Sequence, residues 1–167
     1  MNKHSVEIDE YVFIGCTLWS QIHNHQLIKD SMNDYKKIRK YGTKNGIKRK
    51  LPVTPYDTSS WHNDHLRWIE QQLEFCEMIG KKVIVLTHHA PITDPEIHPV
   101  EHRGTFMNEA YSTDLTHLFK TPLICWCFGH THQEYNKVYN GILLRNNPCD
   151  YYLTKLNSME NNFTVYL

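Results

Sequence analysis

Hydrophobic and polar positions alternate in short blocks, and the blocks predict strands at both ends of the chain around one long helix. Val6 to Ile8 and Tyr11 to Leu18 read as two strands joined at Asp9-Glu10, the second apolar enough to lie inside a sheet. From Lys36 to Lys50 there are eight basic residues and no acidic one, broken by Gly42 and Gly46 and followed by Pro52 and Pro55, which predicts a loop. Asp57-Thr58-Ser59-Ser60 offers N-cap residues, after which Leu66, Ile69, Leu73, Cys76 and Ile79 recur at helical spacing until Gly80.

Lys81 to Thr87 is a β-branched apolar run, the pattern of a strand covered on both faces, and it ends at His88-His89-Ala90-Pro91. The stretch from Ile92 to Met107 carries His98 and His102 and reads as a loop bordering a site. Ser112-Thr113-Asp114 predicts the cap of a second helix bearing Leu115, Leu118 and Phe119, halted by Pro122. Leu123 to Phe128 is the next strand. Tyr135 to Tyr139 and Ile142 to Arg145 flank Asn140-Gly141, a type I′ hairpin signal, and Phe163 to Leu167 predicts a last strand.

Composition adds bounds. With 167 residues and 40% hydrophobic content, one domain with one core is expected. Eighteen basic and eighteen acidic residues cancel, so no overall field draws the molecule to nucleic acid or an anionic membrane. The apolar runs are too short for a membrane span or a signal-peptide core, which predicts a soluble, intracellular protein. An odd count of five cysteines, with no C-x-x-C pair, suits a reducing compartment.

Candidate chemistry lies in the histidines. In an extended segment residues two apart face the same way, so His130 and His132 can address one small volume, and neutral imidazole binds transition metals. His88, at another strand end, is a third ligand candidate, because functional groups gather at strand ends in α/β sheets. His23-Asn24-His25 reads as a solvated loop, and His62 and His65 as partly exposed residues near a helix start. Cys125, Cys127, His130 and His132 could together form a zinc site, but both cysteines lie inside an apolar run and read as core.

Several stretches, in order, resemble the calcineurin-like metallophosphoesterases: Phe13-Ile14-Gly15-Cys16-Thr17-Leu18-Trp19, Asn33-Asp34-Tyr35, Trp68-Ile69-Glu70 with Leu73, Thr87-His88-His89-Ala90-Pro91, and Trp126 before Gly129-His130-Thr131-His132. The resemblance covers nearly the whole chain and is to the C-terminal half of that family. It implies an α/β fold, the C-terminal part of a two-sheet sandwich, with a mixed sheet, two main helices and terminal hairpins, residues 1–167 forming one partial domain. It also implies two divalent ions, manganese, iron, zinc, cobalt or nickel, with His88 and His130 on one and His132 on the other. In such a site a pair of cations ~3.5–4 Å apart clamps phosphate oxygens and activates a shared water for in-line attack. His89 would stand at the rim or behind the ligands, Gly129 would let the loop approach the metals, and Asn147-Pro148 resembles a family element beside the substrate.

The departure from the family is as informative. Its aspartate-x-histidine, glycine-aspartate-x-x-aspartate and glycine-asparagine-histidine-acid motifs precede the matched region and are absent here; Asn24-His25 lacks the glycine and the acid and falls in the wrong order. Three neutral histidines cannot offset the charge of two divalent ions, so the isolated chain is expected to bind no ion or one weakly, and no catalytic residue is identified in it. The expected function is the C-terminal portion of a metal-dependent phosphoesterase acting on a phosphate ester or nucleotide, inactive without a companion N-terminal polypeptide. The alternative is a non-catalytic remnant or binding subunit of the same fold.

Overall fold

A computed structural model describes residues 2–148; the strand expected at Phe163 to Leu167 lies outside the described residues. Strands β1 (His4–Ile8) and β2 (Tyr11–Cys16) form an antiparallel hairpin, with Asp9 in the left-handed region at its turn. Two short helices follow, α1 (His25–Ser31) and α2 (Asn33–Lys37), so His25 opens a helix and does not sit in a solvated loop. The Glu109 carboxylate accepts from the backbone N–H groups of His23 and Asn24 at 3.1 and 2.8 Å, holding the chain where it enters α1.

The basic segment is not a loop. It forms β3 (Arg39–Lys44) and β4 (Ile47–Pro52), an antiparallel ribbon separate from the main sheet. Asn45 and Gly46 both have positive φ, 53° and 76°, the geometry of a type I′ turn. Gly46 therefore folds the segment back on itself, where it had read as a breaker. Gly42 serves differently: a Cβ there would come within 2.8 Å of Leu51 Cδ1, so Leu51 lies over the bare backbone.

Helix α3 (Pro55–Met78) begins before the expected cap. Thr54 is the N-cap, and a capping box joins it to Asp57: the Thr54 N–H and hydroxyl donate to Asp57 Oδ2 at 2.9 and 2.8 Å, and the Asp57 N–H returns to Thr54 Oγ1. His62 and His65 are buried, not partly exposed, because the inward stripe runs Thr58, His62, His65, Ile69, Leu73, Cys76 at three- and four-residue steps. His62 Nδ1 lies 3.3 Å from the Trp19 carbonyl, and His65 Nε2 lies 3.0 Å from Asn2 Oδ1. Burial lowers the pKa of both, so these imidazoles are neutral.

Strands β5 (Lys82–Thr87), β6 (Leu123–Cys127), β7 (Tyr135–Tyr139) and β8 (Ile142–Asn146) complete a six-stranded mixed sheet of order β1-β2-β5-β6-β8-β7. The inner four strands are mutually parallel, and an antiparallel hairpin closes each side. One register row carries Ile14, Val85, Trp126 and Leu144, all fully buried in one core with Ile69 and Leu73 of α3. The row facing the other way carries an apolar residue on every strand: Val6, Phe13, Ile84, Cys125, Leu143 and Val138.

The second expected helix shrinks to a single 3-10 turn, Thr116–Leu118. Leu115, Leu118 and Phe119 do reach the core, but the Leu115 N–H donates to the Pro91 carbonyl at 2.9 Å and that of Thr113 to Ala90. Backbone donors committed across the fold cannot propagate a helix. The fold is therefore mixed α/β with one long helix, where two main helices were expected.

Candidate functional site

Because the inner strands run parallel, their carboxyl ends share one edge of the sheet, and that edge gathers the chemistry-bearing residues. β2 delivers Thr17-Leu18-Trp19, β5 delivers His88-His89, β6 delivers Gly129 to His132, and β8 ends at Asn146. Four non-glycine residues here have positive φ: Leu18 at 67°, Trp19 at 59°, His130 at 66° and His132 at 55°. Such conformations persist where surrounding contacts hold them, and they concentrate at functional sites.

Those contacts are identifiable. The Trp126 indole N–H donates to Thr87 Oγ1 at 2.9 Å, and the Thr87 hydroxyl donates to the His89 carbonyl at 2.7 Å. The N–H groups of His88 and His89 both point to the Thr17 carbonyl at 3.3 Å, and the Gly129 N–H donates to the His88 carbonyl at 3.0 Å. A core tryptophan thus fixes one histidine loop, and that loop fixes the next. From the far side, Asn146 Nδ2 donates to Thr131 Oγ1 and to the Gln133 carbonyl, both at 2.8 Å.

Three imidazoles meet as a result. The ring centroids of His88 and His130 are 4.6 Å apart, those of His89 and His130 4.4 Å, and those of His88 and His89 5.3 Å. His89 is buried against Trp19, and burial, then the neighbouring imidazoles, drives its pKa well below the usual value. Burial pushes His130 down to about 3, with His88 and His132 adding to the shift; its ring bonds to the Ala110 backbone, and its Nε2 is buried without a partner. His88 is exposed but backed by protein, and that partial desolvation lowers its pKa while Asp34 pulls the other way.

His132 is exposed and faces a cavity of about 350 Å³ shared with His130, Asp34, His98, His102, Tyr111 and Met107. The segment between Pro91 and Tyr111 reaches this cavity because its ends are pinned: the Ala90 N–H donates to the Tyr111 carbonyl at 3.0 Å, and Ala90 bridges to Ser112. His98 and His102 do border the cavity, as the loop containing them suggested. Asp34, Tyr111 and Asn146 were not singled out for a site. The Tyr111 ring centroid lies 4.7 Å from that of His130, the planes tilted by 37°, and Asn146 continues the inward alternation Ile142, Leu144 of β8, a period-two signal visible in the sequence. Asn147 is exposed beyond the strand end.

Cys125 and Cys127 lie side by side in the sheet, Sγ atoms 3.8 Å apart, within the face that also carries Ile84. The contact raises the Cys125 thiol and lowers that of Cys127. Among the described residues, no three His, Cys, Asp or Glu side chains converge on a point that would hold a metal ion. The donor chemistry of His88 and His130 fits part of a metal centre, with His132 beside them, since imidazoles held toward the neutral form and one unpartnered Nε2 are what a divalent transition ion takes. It does not fit a complete dinuclear one. Asp34 is the carboxylate that lines this cavity among the described residues.

No family model matches the chain, and no solved structure matches it. It is 35% identical over 176 aligned positions to an uncharacterized protein of Acanthamoeba polyphaga mimivirus, an alignment covering 99% of this chain. The chain spans 58% of that relative's length. No helix among the described residues is long and apolar enough to cross a membrane.

Proposed function

We propose that this chain is the C-terminal portion of a metal-dependent phosphoesterase of the calcineurin-like type, the part that contributes imidazole ligands to a two-sheet sandwich. The observation that carries the reading is the delivery of His88 and His130 from the ends of adjacent parallel strands, with His130 Nε2 buried and unpartnered beside a cavity. In this reading His88, His130 and His132 hold metal, His89 orients its neighbours from behind, and Asn147 stands near substrate. The missing carboxylates come from an N-terminal companion or preceding segment, which also supplies the second sheet and packs on the face carrying Phe13, Ile84 and Leu143. The substrate is a phosphate ester or nucleotide, and the setting intracellular. When two divalent ions are bound, they supply charge neutralisation and an activated water.

A reconstitution assay tests this. The chain alone is expected not to hydrolyse p-nitrophenyl phosphate with manganese, zinc, cobalt, nickel or iron. Joined to a polypeptide carrying the carboxylate motifs, it is expected to turn over in a metal-dependent manner that His88→Ala and His130→Ala abolish. Failure of the joined protein with every metal would sink the reading. The second reading is a non-catalytic remnant or binding subunit of the same fold, which metal-dependent turnover by the joined protein would refute.

A further inference from the structure

The ribbon β3–β4 concentrates charge in a protein whose net charge is zero. Eight of the eighteen basic residues fall between Lys36 and Lys50 with no acidic residue among them. The register divides the ribbon into two faces. Lys40, Gly42 and Lys44 share one with Leu51, Arg49 and Ile47; Arg39, Tyr41 and Thr43 share the other with Pro52, Lys50 and Lys48.

The first face is anchored at its root: Lys40 pairs with Asp57 of the α3 capping box, and Leu51 lies over Gly42. The second face is presented to solvent. Tyr41, at its centre, is 79% exposed, and Lys50 Nζ stands 5.8 Å from its ring centroid. Arg39 lies at the base, its guanidinium donating to the Lys36 and Ile38 carbonyls at 2.8 and 3.1 Å, and Lys48 lies opposite Thr43. Among the described residues, Lys40 is the one cation of the ribbon with a carboxylate within ion-pair distance.

We propose that this ribbon is a binding arm for single-stranded nucleic acid, with Tyr41 as the stacking platform and Arg39, Lys48 and Lys50 as phosphate contacts. An exposed aromatic ring within a row of cations has the two elements such binding needs, a π-face for an unstacked base and charges that track the backbone. A duplex keeps its bases stacked and would leave the Tyr41 ring unused. An anionic membrane attracts the same cations without needing the Tyr41 ring, so the exposed ring favours an unstacked base and vesicles serve as the competitor in the test. The inference is independent of the phosphoesterase reading, because none of its residues belongs to the histidine cluster.

Fluorescence anisotropy with the full chain tests it, using a labelled single strand of about 20 nucleotides, the matching duplex, and phosphatidylserine vesicles as competitor. The single strand is expected to bind more tightly than the duplex, with affinity falling as salt rises. Replacing Arg39, Lys48 and Lys50 together by Ala should reduce the logarithmic salt slope by about 2, at roughly 0.7 per phosphate contact. Tyr41→Ala should weaken binding about 5- to 150-fold, and Tyr41→Phe should retain it. Lys120→Ala, away from the arm, should change nothing. No binding at low salt, equal affinity for duplex, full competition by the vesicles, or an unaltered affinity for Tyr41→Ala would each overturn the proposal.

Discussion

Replacing Asn146 by Ala should release the histidine loop. The Asn146 side chain is buried, and its Nδ2 serves two acceptors at 2.8 Å, Thr131 Oγ1 and the Gln133 carbonyl. Because the carbonyl can only accept, the orientation of the amide is fixed. Alanine removes both bonds and leaves the Gln133 carbonyl and the buried Thr131 hydroxyl without this partner. Two net hydrogen bonds plus one unsatisfied buried group amount to about 2–6 kcal/mol. For a protein of this size that lowers the melting temperature by about 4–24 °C. Thermal unfolding followed by circular dichroism reads the effect, and hydrogen exchange at Thr131 and Gln133 places it. Asn147→Ala is the internal control: the residue is exposed, so its change should stay within about 0.5 kcal/mol. Equal melting temperatures for the two variants would refute the assignment of Asn146 as the residue that fixes the loop.

Three further outcomes follow from the same geometry. Gly129→Ala should fold with nearly unchanged stability by thermal melting, since its Cβ would meet His88 Nδ1 at 3.6 Å and the His88 carbonyl at 3.7 Å, ordinary contacts. Thr54→Ala should cost about 1 kcal/mol by urea denaturation through loss of the α3 cap. His89, His98 and His130 have folded-state pKa values below the unfolded one, so their neutral forms stabilise the fold above about pH 6.5 and that contribution is lost as pH falls. His62, His65 and His88 shift the same way, so below about pH 6.5 the unfolded chain takes up more protons than the folded one and urea midpoints should fall with pH, by up to about 1.4 kcal/mol per pH unit for each site that stays neutral in the fold.

The fold was legible where a periodic signal met no competitor. β5, β6 and the β7–β8 hairpin follow from β-branched runs and Asn140-Gly141, and Ile69, Leu73 and Cys76 of α3 follow from their spacing, whereas Ile79 at the same spacing is exposed and His62 and His65 fill the stripe in place of apolar residues. The Asn45-Gly46 turn carried the same signal as Asn140-Gly141 but was hidden by the surrounding charge, which argues for solvent exposure and says nothing against a ribbon. The helix expected after Ser112 failed because its backbone donors are taken by Ala90 and Pro91, long-range bonds that local composition does not encode. Of the candidate site, His88 and His130 come together because parallel strands share an edge, which strand ends suggested; His89, expected at the rim or behind the ligands, is buried and packs against both rings. Asp34 and Tyr111 reach the cavity through α2 and the pinned 91–111 segment, tertiary placements beyond the reach of periodicity.

The left-handed backbone at His132 has a consequence for anyone who evolves or redesigns this protein. Holding an exposed non-glycine residue at φ 55° costs about 1 kcal/mol that glycine would not incur. His132→Gly relieves that backbone cost while it deletes a candidate ligand and the interactions His132 makes. Selection for thermal tolerance or expression yield, applied without selection for activity, therefore acts on the glycine-histidine-threonine-histidine loop at a position where relief of backbone strain and loss of chemistry are the same substitution.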